Sequence, residues 1–111
     1  MEMRKDLVGS VTVLAVTGRL DSTTAPTFGE QLLSVLNALQ CHVVLDLRQL
    51  EYISSAGFRV LLVAAKRAEK NESRLVLCGV SGKVRQLFEL GGFLDLFAIS
   101  ASREDAIAAA G

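Results

Sequence analysis

Two adjacent serines, Ser54 and Ser55, have the type and position best suited to a chemical event in this chain. They follow an apolar run ending at Ile53 and precede a stretch with helical apolar spacing, so we expect them to begin a helix. The simplest interpretation is that one of these serines is only the N-cap of the helix, since one hydroxyl is enough for capping. The other hydroxyl would stay free, and a phosphoryl group there would add about −1.5 to −2 charges where the helix dipole tolerates them.

Acyl-transfer chemistry is not predicted at this pair of serines. A nucleophile elbow requires Gly-x-Ser-x-Gly together with a distant histidine and an acid. Here Ile53 stands in place of the first glycine, and the single histidine, His42, lies in a predicted strand. We therefore predict no catalytic residue and a protein that is not an enzyme.

The two cysteines do not form part of a predicted metal site. Cys41 adjoins His42, but neighbours on a strand point to opposite faces and cannot bind one ion together. Cys41 and Cys78 are instead predicted to be small core residues in a reducing compartment. No metal and no cofactor is predicted.

The segment Gly79-Val80-Ser81-Gly82-Lys83 opens a predicted helix and resembles part of a phosphate loop. It lacks the full spacing of such loops, and a simple strand-to-helix turn capped by Ser81 explains it equally. Because helix N-termini attract anions, a nucleotide-binding or small-anion-binding module is kept as an alternative function.

Strands and helices alternate along the chain. The predicted strands are residues 4–8, 11–18, 43–47, 75–79 and 97–99, and the predicted helices are residues 24–39, 54–71, 81–90 and 102–110. Gly9-Ser10 predicts a hairpin between the first two strands, and residues 48–53 are predicted to be a connection. This order predicts an α/β fold with a mixed sheet of about five strands and about four helices.

The helix that follows the serines is apolar around most of its first half. At about 100° per residue, Phe58 and the residues from Val60 to Val63 cover more than one face. Two interpretations remain open: a neighbouring helix covers the second face, or Phe58 belongs to an exposed apolar patch that a partner binds.

Composition restricts the classes of partner. The chain has 111 residues, which suits one domain over residues 1–111, and twelve basic residues balance twelve acidic ones. A neutral chain has no electrostatic footprint for direct nucleic-acid binding. No stretch reaches the roughly 18 apolar residues that span a bilayer, so we expect a cytoplasmic protein without membrane insertion. We also expect it to be a monomer or a weak dimer when free.

Three blocks, in order, resemble the STAS domain and, within it, the bacterial anti-sigma factor antagonists. They are residues 17–25, residues 45–47 followed by 53–58, and residues 80–88 followed by Gly91-Gly92-Phe93. The resemblance implies a mixed sheet backed by helices, in agreement with the order of elements above.

The resemblance also implies a role for individual residues. Ser55 occupies the position of the family's phosphorylated serine, Ser54 that of the preceding aspartate, Ala56 that of the following hydroxyl residue and Gly57 that of the glycine. Asp21 matches an aspartate near the same surface. The predicted partner-binding residues are Asp21, Ser22, Thr23, Thr24, Ser54, Ser55, Ala56, Gly57, Phe58 and Arg59.

Two positions depart from the family's pattern. Serine replaces the acidic residue at position 54, and both residue types are good N-caps. Arg59 stands where some members have glycine. Its cation could pair with a phosphate or with an acidic partner residue, or it could simply be solvated.

The resemblance implies two kinds of partner. One is an anti-sigma factor that is also a serine protein kinase and is released when Ser55 is phosphorylated. The other is a PP2C-type serine phosphatase that reverses the modification. An alternative is a STAS subunit that is not phosphorylated and belongs to a larger complex, such as a lipid-transport assembly or a stress-sensing scaffold.

Overall fold

The computed structural model describes residues 1–38 and 40–111. Within them the chain forms six strands and four α-helices. The strands are β1 (Glu2–Val8), β2 (Val11–Leu20), β3 (His42–Asp46), β4 (Leu50–Ile53), β5 (Leu75–Cys78) and β6 (Ala98–Ser100). The helices are α1 (Ala25–Leu36), α2 (Ser55–Lys70), α3 (Gly82–Leu90) and α4 (Arg103–Ala110), with a short 3-10 helix at Leu94–Leu96.

The predicted hairpin is confirmed. β1 and β2 pair antiparallel, and Val8 lies opposite Val11 across the two-residue turn. Gly9 has a φ of +60°, which the first central residue of such tight hairpin turns requires. β1 begins two residues earlier than predicted.

The sheet is mixed, as predicted. Its strand order is β1-β2-β3-β5-β6, and every pair after the first is parallel. Parallel neighbours need a crossover connection, which α1 and α2 provide for the central strands. The α/β architecture is therefore confirmed.

Strand β4 corrects the prediction that residues 48–53 are only a connection. It pairs in parallel with the far end of β2, so that Leu20 lies opposite Ile53. The register shifts between Gly18 and Arg19. β4 raises the number of strands to six and brings the end of β2 beside the start of α2.

The helices match their predicted positions to within a few residues. α1 ends at Leu36, whereas the prediction ran to residue 39, and Leu39 lies outside the described residues. α2 differs from its predicted range by one residue at each end. The 3-10 helix was not predicted.

The two faces of the sheet carry separate apolar clusters. In β2, Leu14 and Val16 join the larger cluster, which includes residues of α1, α2 and α3. Val11 and Val13 face the other way and join a smaller cluster with α4. On the face that carries the larger cluster, the start of α2 therefore packs against the ends of β2 and β4.

Candidate functional site

Ser54 is fixed between β4 and α2 by main-chain and side-chain hydrogen bonds. Its N–H donates to the carbonyl of Leu20 at 2.8 Å. Its Oγ accepts a hydrogen bond from the N–H of Gly57 at 3.4 Å, and its extended backbone (φ −93°, ψ 175°) is that of an N-cap. Ser54 is therefore the serine that caps α2.

Ser55 is the first residue of α2 and is exposed. Its hydroxyl takes part in none of the side-chain hydrogen bonds found among residues 1–38 and 40–111. The first turn of α2 carries no acidic side chain. An accessible hydroxyl thus stands at the positive end of a sixteen-residue helix.

Asp21 organises the turn that precedes α1. Its Oδ1 accepts hydrogen bonds from the N–H groups of Thr23 at 3.0 Å and Thr24 at 3.1 Å. The bond from the Thr24 N–H, more than any other contact, holds the pKa of the Asp21 carboxyl below its usual value of 3.8. Because Leu20 pairs with Ile53, this turn lies beside the two serines.

The hydroxyl residue at the start of α1 does not cap this helix with its side chain. Thr24 occupies the N-cap position but makes no side-chain capping bond. Its Oγ1 accepts from the N–H of Asp21 at 3.0 Å and donates to the carbonyl of Arg19 at 2.8 Å. The side chain therefore stabilises the turn itself, while Ser22 and Thr23 are exposed.

Gly57 is buried where α2 crosses the ends of β2 and β4. A Cβ at this position would stand 2.8 Å from Cγ1 of Ile53 and 3.1 Å from Cβ of Leu20. A methyl group this close would overlap both side chains, so the side chains would have to move to make room for it. Glycine at this position therefore allows α2 to lie close to the strands, with Ala56 half-buried beside it.

Phe58 contradicts the interpretation that it forms an exposed apolar patch. It is only 5% exposed. Its ring stacks on Phe93, with centroids 4.2 Å apart, and meets Phe88 edge-on at 4.8 Å. Segments from α3 onward cover this face of α2, so any effect of Phe58 on a partner is indirect.

Arg59 is exposed on α2, one turn after Ser55. It makes no ion pair with any described part of the chain. Its guanidinium is therefore available to pair with an acidic group of a partner or with a phosphoryl group added to this protein.

An open apolar groove runs between α1 and α2 next to the serines. Small and aliphatic side chains dominate its lining, which consists of Ser22, Ala25, Pro26, Gly29, Glu30, Leu33, Ala56 and Val60. It joins the Asp21 turn at Ser22 to the start of α2 at Ala56.

One cluster near the serines was missed by sequence reasoning. Tyr52, on β4, has the guanidinium of Arg19 4.4 Å from its ring centroid and the ammonium of Lys83 at 5.9 Å. Both distances are within the range of cation–π attraction. The three residues come from three distant segments, so no local sequence pattern could have indicated the cluster.

The remaining candidate residues lie elsewhere in the fold. Cys78 is fully buried and Cys41 is half-buried. His42 Nδ1 accepts a hydrogen bond from the N–H of Arg74 at 3.0 Å, so this nitrogen has a structural partner. Ser81 is the N-cap of α3, but its side chain makes no capping bond.

None of the described helices is long and apolar enough to cross a membrane.

Comparison with known proteins identifies the family. The STAS domain family model matches residues 2–106. BtrV of Bordetella bronchiseptica, a candidate anti-sigma factor antagonist, is 38% identical over 109 residues, which are 98% of this chain and 94% of BtrV.

Two solved structures show the same fold. An anti-sigma factor antagonist from Mycobacterium paratuberculosis superposes with a TM-score of 0.85 at 22% identity, covering 98% of this chain and 92% of the other. The phosphorylated form of the Bacillus cell fate determinant SpoIIAA gives 0.71 at 18% identity, covering 97% and 98%. With a family match over residues 2–106 and a close relative along nearly its whole length, the chain belongs to the STAS domain family.

Proposed function

We propose that this chain is an anti-sigma factor antagonist whose binding to an anti-sigma factor is controlled by phosphorylation of Ser55. The observation that carries the proposal is the separation of roles at the start of α2. Ser54 caps the helix, and Ser55 is exposed. The relationship to BtrV supports the class of function, which is binding and regulation rather than catalysis.

The position of Ser55 suits a modification that changes binding and spares the fold. A phosphoryl group would lie at the N-terminal end of the α2 dipole, where negative charge is stabilising by roughly 0.3–1 kcal/mol. No acidic side chain in the first turn would repel it. A partner docked over this helix end would instead have to accommodate a group with about two negative charges.

The binding surface that we propose combines three neighbouring features. They are the exposed hydroxyl residues of the Asp21 turn, Ser55 itself, and the apolar groove between α1 and α2. The groove supplies apolar area and the turn supplies polar contacts around it, which is the usual arrangement of a protein interface. Phe58 and Gly57 support this surface from beneath.

Two partners complete the proposal. The anti-sigma factor is itself the serine kinase that modifies Ser55, so that phosphorylation dissociates the complex. A PP2C-type serine phosphatase restores the unmodified form. The phosphorylated SpoIIAA structure supports the idea that this fold accommodates the modification.

The test is to incubate the protein with a candidate kinase and ATP and to map the modified residue by mass spectrometry. Wild type and Ser54→Ala should each gain one phosphoryl group at position 55, and Ser55→Ala should gain none. In a binding assay with the same kinase, Ser55→Asp should bind at least ten-fold more weakly than wild type.

Two other results would point to different functions. Equal binding by wild type, Ser55→Asp and Ser55→Ala would overturn phosphorylation control and favour a permanent subunit of a larger complex. Saturable binding of ATP or GTP to the protein alone, abolished by changes at Ser81 and Lys83, would favour the nucleotide-binding alternative.

A further inference from the structure

Ser55 and Arg59 are neighbours on the exposed side of α2. Residues four apart in a helix lie on one face, with Cβ atoms about 5–6 Å apart. Long side chains in helices lean back toward the N-terminus. We therefore expect the Arg59 side chain to lean toward the turn that carries the Ser55 hydroxyl. Both residues are exposed.

Arg59 has no acidic neighbour on its own helix. The residues three and four positions away on either side are Ser55, Ala56, Leu62 and Val63. By contrast, Arg67 of the same helix bonds to the side-chain oxygen of Asn37, and Arg48 binds the buried Asp46 carboxylate at 2.9 Å. Arg59 makes no ion pair with any residue of 1–38 or 40–111.

We propose that Arg59 binds the phosphoryl group carried by Ser55, forming an ion pair within the helix that exists only in the modified protein. The inference rests on the proposed function, because Ser55 must be the modified residue. Guanidinium presents two parallel N–H donors to phosphate oxygens, a geometry that an ammonium cannot reproduce.

The pair has two consequences for partner binding. Modification adds negative charge beside the groove, and it also withdraws the Arg59 cation from any acidic group of the partner. The nearby cation favours the doubly charged form of the phosphoryl group. Arg59 therefore lowers the second pKa of that group, ordinarily about 6, relative to the same protein without this cation. The Asp21 carboxylate in the neighbouring turn acts in the opposite direction, equally with and without Arg59.

The test uses protein with phosphoserine inserted at position 55 during translation, so that it needs no kinase. Phosphorus NMR follows the phosphoryl pKa at low ionic strength. Arg59→Gln should raise that pKa by about 0.2–0.4 pH unit relative to wild type, the shift expected for an exposed pair at this spacing. Arg59→Lys should restore part of the shift, and high salt should shrink it.

Lys66→Gln is the matched control, because Lys66 is an exposed cation of the same helix that lies eleven residues, or about three turns, beyond Ser55. It removes the same net charge and should leave the phosphoryl pKa unchanged. The proposal is overturned if Arg59→Gln has no effect, or if Lys66→Gln has an equal effect. Circular dichroism establishes that each variant remains folded.

Failure of this inference is distinct from failure of the proposed function. If no kinase modifies Ser55, phosphorylation control is wrong, although the installed phosphoserine still reports on Arg59. If the kinase modifies Ser55 and the NMR shift is absent, the proposed function stands and Arg59 remains a solvated side chain.

Discussion

The Oγ of Ser54 accepts a hydrogen bond from the backbone N–H of Gly57 at 3.4 Å, and this bond distinguishes two chemically identical neighbours. Ser54→Ala should lower the free energy of unfolding by about 0.5–1 kcal/mol, because an N-cap is lost. Ser55→Ala should change it by less than about 0.5 kcal/mol, as for most exposed positions. Urea denaturation followed by circular dichroism measures both, and equal losses would contradict the assignment of the cap.

Two helical glycines offer a matched test of how tightly α2 packs. Gly57→Ala should lower the free energy of unfolding by about 1–3 kcal/mol, because its new methyl group would collide with the buried side chains of Ile53 and Leu20. Gly29→Ala places its methyl group 3.5 Å from Val60, an ordinary contact. That variant should be neutral or more stable, since alanine favours helix by about 1 kcal/mol.

Thermal denaturation of the two variants measures the difference. A Gly57→Ala protein as stable as Gly29→Ala would show that the start of α2 can shift away from the strands without loss of stability.

Local signals were sufficient to predict the start of α2. The serines and the apolar spacing after them indicate a helix N-terminus from the local sequence alone. β4 could not be predicted in this way, because Leu50 and Ile53 are both buried although they are three residues apart. Strict alternation would place them on opposite faces. The irregular register against β2 permits both to be buried.

The surroundings of Phe58 were also beyond the reach of local patterns. An apolar helix indicates that two faces are covered but not by what. The rings that cover Phe58 belong to Phe88 and Phe93, which are thirty or more residues away in the chain. The choice between a buried and an exposed Phe58 therefore depended on how α3 packs, which is a tertiary property.

The two thiols should differ in reactivity. Burial, and to a smaller extent the nearby Asp46 carboxylate, raises the pKa of the Cys78 thiol from 9.0 to about 11. At pH 8 only about one in a thousand such thiols is ionised, and the thiolate is the reactive form. Iodoacetamide should therefore label the half-buried Cys41 first.

Mass spectrometry of the native protein over time measures the order of labelling, and both thiols should react in denaturant. Labelling of Cys78 at the rate of Cys41 under native conditions would mean that α4 readily separates from β5 and exposes the Cys78 thiol.

Asp21 should contribute to stability in a way that depends on pH. The N–H group of Thr24 holds the pKa of the folded carboxyl below 3.8, with further help from Thr23. A lowered pKa in the folded state means that the stabilisation is present above pH 3.8 and is lost as the pH falls through the folded value. Asp21→Asn should therefore melt at a lower temperature than wild type at pH 7, and the gap should narrow at pH 3 and below.

The matched control for Asp21→Asn is Glu30→Gln, which changes an exposed acid of the neighbouring helix. Glu30 makes no side-chain hydrogen bond within residues 1–38 and 40–111, so its gap in melting temperature should be small at every pH. If the Asp21→Asn gap stayed constant from pH 7 to pH 3, the lost stability would not come from the charge of the carboxylate, because Asp and Asn differ little in shape. A gap that closes instead identifies the charge of Asp21 as the part that holds the turn beside Ser55.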